Sequence, residues 1–164
     1  MTQLESLRKE FENEAATTRK MLAIVPTDKF DWQPHSKSMS VKRLATHIAE
    51  LPTWIGMTFD TDELDFESNP YQQENVNNTQ ELLDYFERSV NEGRKYLGEG
   101  NEEVLDKPWT LRNGKTIYST RPKREILRMA MSQIIHHRAQ LGVYMRMLNV
   151  PIPGSYGPSA DEHF

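Results

Sequence analysis

The chain has 164 residues, the size of one domain, and 20 Lys and Arg against 24 Asp and Glu leave a net charge of −4. That balance argues against a general nucleic-acid binder, which needs a basic face to neutralise phosphates. Cysteine is absent, so disulfides, thiolate metal sites and cysteine nucleophiles are excluded, and any thiol chemistry arrives with a ligand.

The start, MTQLESLRKE, has no apolar signal-peptide core, and no run approaches the roughly 18 apolar residues of a membrane span. A soluble, cytoplasmic domain is expected, with no membrane partner. Thr2 to Ile24 reads as an amphipathic helix, because Leu4, Leu7, Phe11, Ala15, Thr18, Leu22 and Val25 recur at helical spacing. Thr2 and Glu5 make a capping box at its start, and Pro26 is a natural stop. DWQPHSKSMS is a polar connector from which Trp32 folds back onto the core.

A second helix starts at Ser40, with Leu44, His47 or Ile48, Leu51, Trp54 or Ile55, and Phe59 on its apolar side. Pro52 lies inside it, lacks an N–H for the Ile48 carbonyl, and predicts a kink or a break. The acidic, Asn- and Gln-rich stretch 60–78 reads as an irregular connection. Asp60, Asp62 and Asp65 lack the spacing and central glycine of an EF-hand loop, which leaves a solvated loop.

A third helix is predicted from Thr79 to Leu97, capped by Asn78 and Glu81 and ended by Gly98 and Gly100. In PWTLRNGKTIY, Asn113-Gly114 between short alternating runs predicts a hairpin turn. The fourth helix runs from Pro122 to Leu148, along Ile126, Ala130, Gln133 or Ile134, His137, Leu141 and Tyr144. Beyond it the proline- and glycine-bearing tail reads as extended. Four amphipathic helices and one small hairpin make an all-α helical bundle in one domain over residues 1–164.

Bundle cores hold cofactor sites built from inward polar side chains. His47 and His137 both lie on core-facing stripes, and Gln133 sits one turn before His137 on the same face. Two inward imidazoles with a third donor make an open metal site; the alternative is a pair of hydrogen-bonded core histidines. His136 points about 100° away from His137 around the helix. At the start of the fourth helix, Arg121, Lys123, Arg124 and Arg128 face only Glu125. Cations there oppose the helix dipole, which marks either an anion site for a carboxylate or phosphate of a cofactor, or a solvated or ion-paired basic face. Met131, Ile135, Ala139 and Gly142 form a second stripe, from which a homodimer through this helix is expected.

DWQPHSKSMS, then LATHIAELPTW, then IIHHRAQLGVYMRMLNVPIPGSYGPSADE together resemble the DinB/YfiT-like superfamily over almost the whole chain. The resemblance implies an up-down-down-up four-helix bundle, commonly a homodimer, with a divalent metal, often zinc or nickel, held by three histidines. Some such proteins are transferases or isomerases that use bacillithiol, mycothiol or glutathione. Carried over by position, two of the histidines are His47 and His137, and the middle one is replaced by Gln133. An amide oxygen is a neutral and weaker donor than imidazole, so affinity should drop. Three readings follow: a metal- and thiol-dependent transferase acting on small electrophiles, a non-catalytic ligand- or metal-binding protein, or a metal-free structural dimer.

Overall fold

The computed structural model describes residues 1–163; Phe164, at the end of the predicted tail, lies outside them. Five α-helices carry the chain: α1 (Gln3–Ala23), α2 (Val41–Glu50), α3 (Thr53–Asp60), α4 (Thr79–Glu99) and α5 (Lys123–Met147). The helix starts follow their caps. Thr2 and Glu5 close a capping box, with Glu5 N–H donating to Thr2 Oγ1 at 3.2 Å and Thr2 N–H to Glu5 Oε2 at 2.8 Å. Ser40 accepts from Arg43 N–H at 3.2 Å, and Asn78 accepts from Glu81 N–H at 2.9 Å.

The second predicted helix is two helices. Pro52 cannot donate to Ile48, so the chain turns at Leu51-Pro52 and restarts, with Ile55 N–H donating to the Pro52 carbonyl at 3.2 Å. Both α1 and the α2–α3 pair pack on α4 and on α5. The interior is filled by side chains such as Phe11, Leu22, Leu44, Ile48, Ile55, Phe86 and Met131, all essentially without solvent contact.

The label all-α needs correcting. A three-stranded sheet, ordered β1-β2-β3, lies beside the bundle: β1 (Glu63–Asp65), β2 (Pro108–Asn113) and β3 (Thr116–Pro122). β2 and β3 form the expected antiparallel hairpin, but Asn113 pairs with Thr116, so the loop residues are Gly114 and Lys115. Gly114 has φ +55°, which suits glycine at the first central position of a two-residue turn. β1 comes from the acidic stretch read as irregular, and it pairs in parallel with β2 through Glu63–Thr110, Leu64–Leu111 and Asp65–Arg112.

The acids of that stretch explain its folding. Asp65 is buried and accepts from Gly114 N–H at 2.8 Å, Glu67 N–H at 3.0 Å and the Ser68 hydroxyl at 3.1 Å, with Arg112 Nη1 at 2.9 Å. Arg112 also grips Glu63 with two bonds of 2.9 and 2.7 Å. The Gly114 amide, followed by the Glu67 amide and the Ser68 hydroxyl, holds the Asp65 carboxyl below the usual range against the opposing effect of burial.

Two of the four residues behind the dimer expectation serve the protomer itself. Met131 is fully buried in the core, and Gly142 faces Met21 of α1, while Ile135 is half-buried and Ala139 exposed. The tail does not run free. Asn149 takes a left-handed φ of 58° just past α5, and the chain then folds back. Tyr156 donates to Glu14 Oε1 at 2.7 Å, and the buried Arg138 lies 2.6 Å from Glu14 while donating to Thr18 Oγ1 and Tyr156 Oη, each at 3.0 Å. No described helix is long and apolar enough to cross a membrane.

Two stability predictions follow from these buried charges. A depressed carboxylate pKa confers stability that is present above the unfolded value of about 3.9 and lost as pH falls through the lower folded value. Asp65→Asn should therefore lower the thermal midpoint at pH 7, measured by circular dichroism, and the gap to the parent should narrow below about pH 4. Lys123, at 5% side-chain exposure, donates to the Thr61 carbonyl at 2.7 Å and the Phe59 carbonyl at 3.4 Å. Lys123→Met should cost about 1–3 kcal/mol in urea unfolding, because it strands these acceptors where α3 ends.

Candidate functional site

Three helical stripes and the sheet converge on a cavity of about 610 Å³. Arg43, His47 and Glu50 lie four and three residues apart on α2 and face it together, as do Trp54 and Met57 on α3, and Met129 and Gln133 on α5. The opposite wall is Leu64 of β1, Phe66 and Leu111 of β2. The strand β1, which the sequence did not show, therefore helps close the cavity, because it carries Leu64 onto it when paired with β2.

His47 and His137 meet across the α2–α5 contact, with ring centres 4.9 Å apart and ring planes at 70°. His47 Nδ1 is 3.5 Å from Glu50 Oε2, a long contact, and the same carboxylate oxygen accepts from Tyr71 Oη at 2.9 Å. His137 Nδ1 lies 2.9 Å from Gln140 Oε1. With Nδ1 of each ring turned to a side-chain oxygen, Nε2 is left for a ligand, an arrangement common around metal-binding histidines. Burial first, and the neighbouring His47 and His136 rings second, pull the His137 pKa below its ordinary value, partly offset by Gln140. A lowered pKa favours the neutral form of the ring, the form that can donate a lone pair. Burial, reinforced by the Glu50 carboxylate, raises the Tyr71 phenol, so it stays a hydrogen-bond donor.

Two imidazoles bound to one ion at about 2.0–2.1 Å hold their ring centres roughly 4.5–5.2 Å apart, for bond angles from about 90° to about 109°. The His47–His137 pair fits that spacing. His136 is as near to His137, also at 4.9 Å, but it is exposed. Among the described residues, no three His, Cys, Asp or Glu side chains come together as a metal cluster. The donor set here is therefore two imidazoles, and the third candidate is the amide of Gln133, which lines the same cavity as His47.

Arg121, Lys123 and Arg124 do not line the cavity. Lys123 is turned inward onto the Phe59 and Thr61 carbonyls and Asp62, at 3.0 Å. Arg124 is paired with Asp106 and Arg128 with Glu10, while Arg121 is exposed on β3 opposite Trp109. Cations unfavourable to the helix dipole are thus answered by acceptors of the protein itself. Sequence reasoning passed over Glu50 and Tyr71. Glu50 had a signal, a carboxylate one turn beyond His47; Tyr71 had none, since its loop is placed only by tertiary contacts.

Comparison with known proteins agrees with this architecture. A Bacillus subtilis protein, YrdA, of uncharacterised function, is 23% identical over 163 residues, covering 97% of this chain and 91% of its own. The crystal structure of a DinB-like protein, YjoA, from the same organism superposes with a TM-score of 0.70 at 20% identity, over 92% of this chain and 96% of that one. A mycothiol-dependent maleylpyruvate isomerase shares the fold at a TM-score of 0.58 and 16% identity, over 86% of this chain and 61% of its own. The DinB family model matches residues 1–163. With helices, sheet and sequence in agreement, the chain belongs to the DinB family.

Proposed function

We propose that the cavity is a small-molecule site built around a divalent metal held by His47 and His137 with Gln133 as third donor, and that the protein is a thiol-dependent transferase acting on small electrophiles. The observation that carries this reading is the pair of imidazoles from two helices, 4.9 Å apart, of which His47 lines the cavity together with Gln133. A zinc or nickel ion there would supply Lewis acidity and favour the thiolate form of a low-molecular-weight thiol. The protein's own part is to orient the rings: Glu50, itself held by Tyr71, faces His47, and Gln140 faces His137. The apolar side chains from α3 and the sheet line the space beside His47. The thiol element takes its support from the mycothiol-dependent isomerase of the same fold.

A second reading has an observation of its own. The amide at position 133, and the engagement of Lys123 and Arg124 elsewhere, favour a protein that binds its metal or ligand without turnover. Loss of a strong donor and loss of cations for a cofactor's carboxylates both point that way.

Calorimetric titration of metal-free, untagged protein with zinc and with nickel tests the centre. His47→Ala should abolish binding, since one imidazole and one amide do not hold the ion against water. Gln133→His should tighten binding by roughly tenfold or more, because imidazole is the stronger donor. His136→Ala should leave it unchanged. If Gln133→His does not strengthen binding, Gln133 is not a ligand.

A further inference from the structure

The chemistry of the cavity wall says what it accepts. Of the side chains lining it, only Arg43 and Glu50 carry formal charge at neutral pH, and they are opposite in sign. The basic cluster at the start of α5 contributes nothing to this wall: Lys123, Arg124 and Arg128 are engaged by Asp62, Asp106, Glu10 and backbone carbonyls, and Arg121 is exposed outside it. An anionic ligand entering this space would meet one guanidinium together with one carboxylate. It would lose its hydration without net compensation.

Most of the rest of the wall is apolar and polarisable, with uncharged Thr53, Asn69, Tyr71 and Gln72 beside it. Trp54, Met57, Leu64, Phe66, Leu111 and Met129 line one continuous space, from two helices, two strands and the turn just past β1. Indole and phenyl faces beside two thioethers favour a ring-bearing ligand, since sulfur–aromatic and aromatic–aromatic contacts add to the area buried. The unbranched methionines let the wall adjust to ligands of differing outline. A volume of about 610 Å³ lies within the range of pockets that enclose drug-sized molecules. Hydrogen-bonding groups come from His47 and Glu50 of α2, Gln133 of α5 and the loop residues Asn69, Tyr71 and Gln72.

We infer that this cavity binds an uncharged aromatic molecule, its ring system against the α3–sheet wall and a single oxygen function toward His47 and Gln133. The inference rests on the reading of this cavity as the functional site, and it names the class of molecule that the site takes. It does not require the metal, because the wall that selects the ligand contains no metal-binding side chain.

The test uses three probes of one shape: naphthalenemethanol, naphthoate and naphthalenemethylammonium. Each is titrated calorimetrically into the full chain at pH 7, once with chelator and once with zinc. The neutral alcohol should bind with chelator present, at least about tenfold tighter than either charged analogue. Met129→Trp and Met57→Trp, each checked for native circular dichroism, should weaken the alcohol by roughly tenfold or more by filling the space. Val143→Asp, on an exposed face of α5 away from the cavity, should leave it unchanged. Binding of the alcohol without any zinc binding supports this inference and removes the metal reading alone. Zinc binding without binding of the alcohol does the reverse. With chelator present, equal or tighter binding of naphthoate, or indifference to both tryptophan substitutions, overturns the inference.

Discussion

A missing N–H at Pro52 shapes the functional half of this molecule. An uninterrupted helix from Ser40 to Phe59 would project Trp54 and Met57 along a single axis with His47. Instead the chain turns at Leu51-Pro52, so α2 presents His47 to α5 while α3 carries Trp54 and Met57 along another wall of the same cavity. The corner needs a partner that lets it approach. Gly93 of α4 provides it, since a side chain there would meet the Pro52 carbonyl and Phe11 Cζ at 3.0 Å each. The break, the glycine opposite and the cavity are one packing solution.

Buried charge is used to join elements that hydrophobic packing alone would leave loosely placed. Asp65 ties β1 to the hairpin turn, Lys123 ties the end of α3 to the start of α5, and Arg138 ties the tail to α1 through Glu14 and Tyr156. Each carries several hydrogen bonds, which is what makes a desolvated charge tolerable. A chain with only 37% hydrophobic residues has few apolar side chains to spare for its connections, and these polar joints take their place.

The same economy bears on the site. Charges committed to structure are unavailable to a ligand, so the cavity keeps one cation and one anion beside the His47 imidazole. Its character is set by the apolar side chains from α3, α5 and the sheet, with polar groups from α2, Gln133 and the loop after β1 at its other side. That separation of an apolar body from a polar end is the usual way a pocket fixes the orientation of what it binds.

Helix periodicity, the caps at Thr2, Ser40 and Asn78, the break at Pro52 and the hairpin glycine were all legible in the sequence, because each depends on residues within a few positions of one another. Placing His47 and His137 on inward stripes was legible for the same reason. The three-residue strand Glu63–Asp65 was not, since it has no alternation long enough to read and forms only because Arg112 and Gly114 meet its acids from far along the chain. Nor could local sequence tell a basic cluster awaiting an anion from one already engaged. Lys123, Arg124 and Arg128 find their partners at Thr61, Asp106 and Glu10, and side-chain pairing across such separations is decided by the packed bundle, not by spacing. Met131 belongs to the core and not to an outer face for the same physical reason: which side of a helix is covered depends on the helices around it.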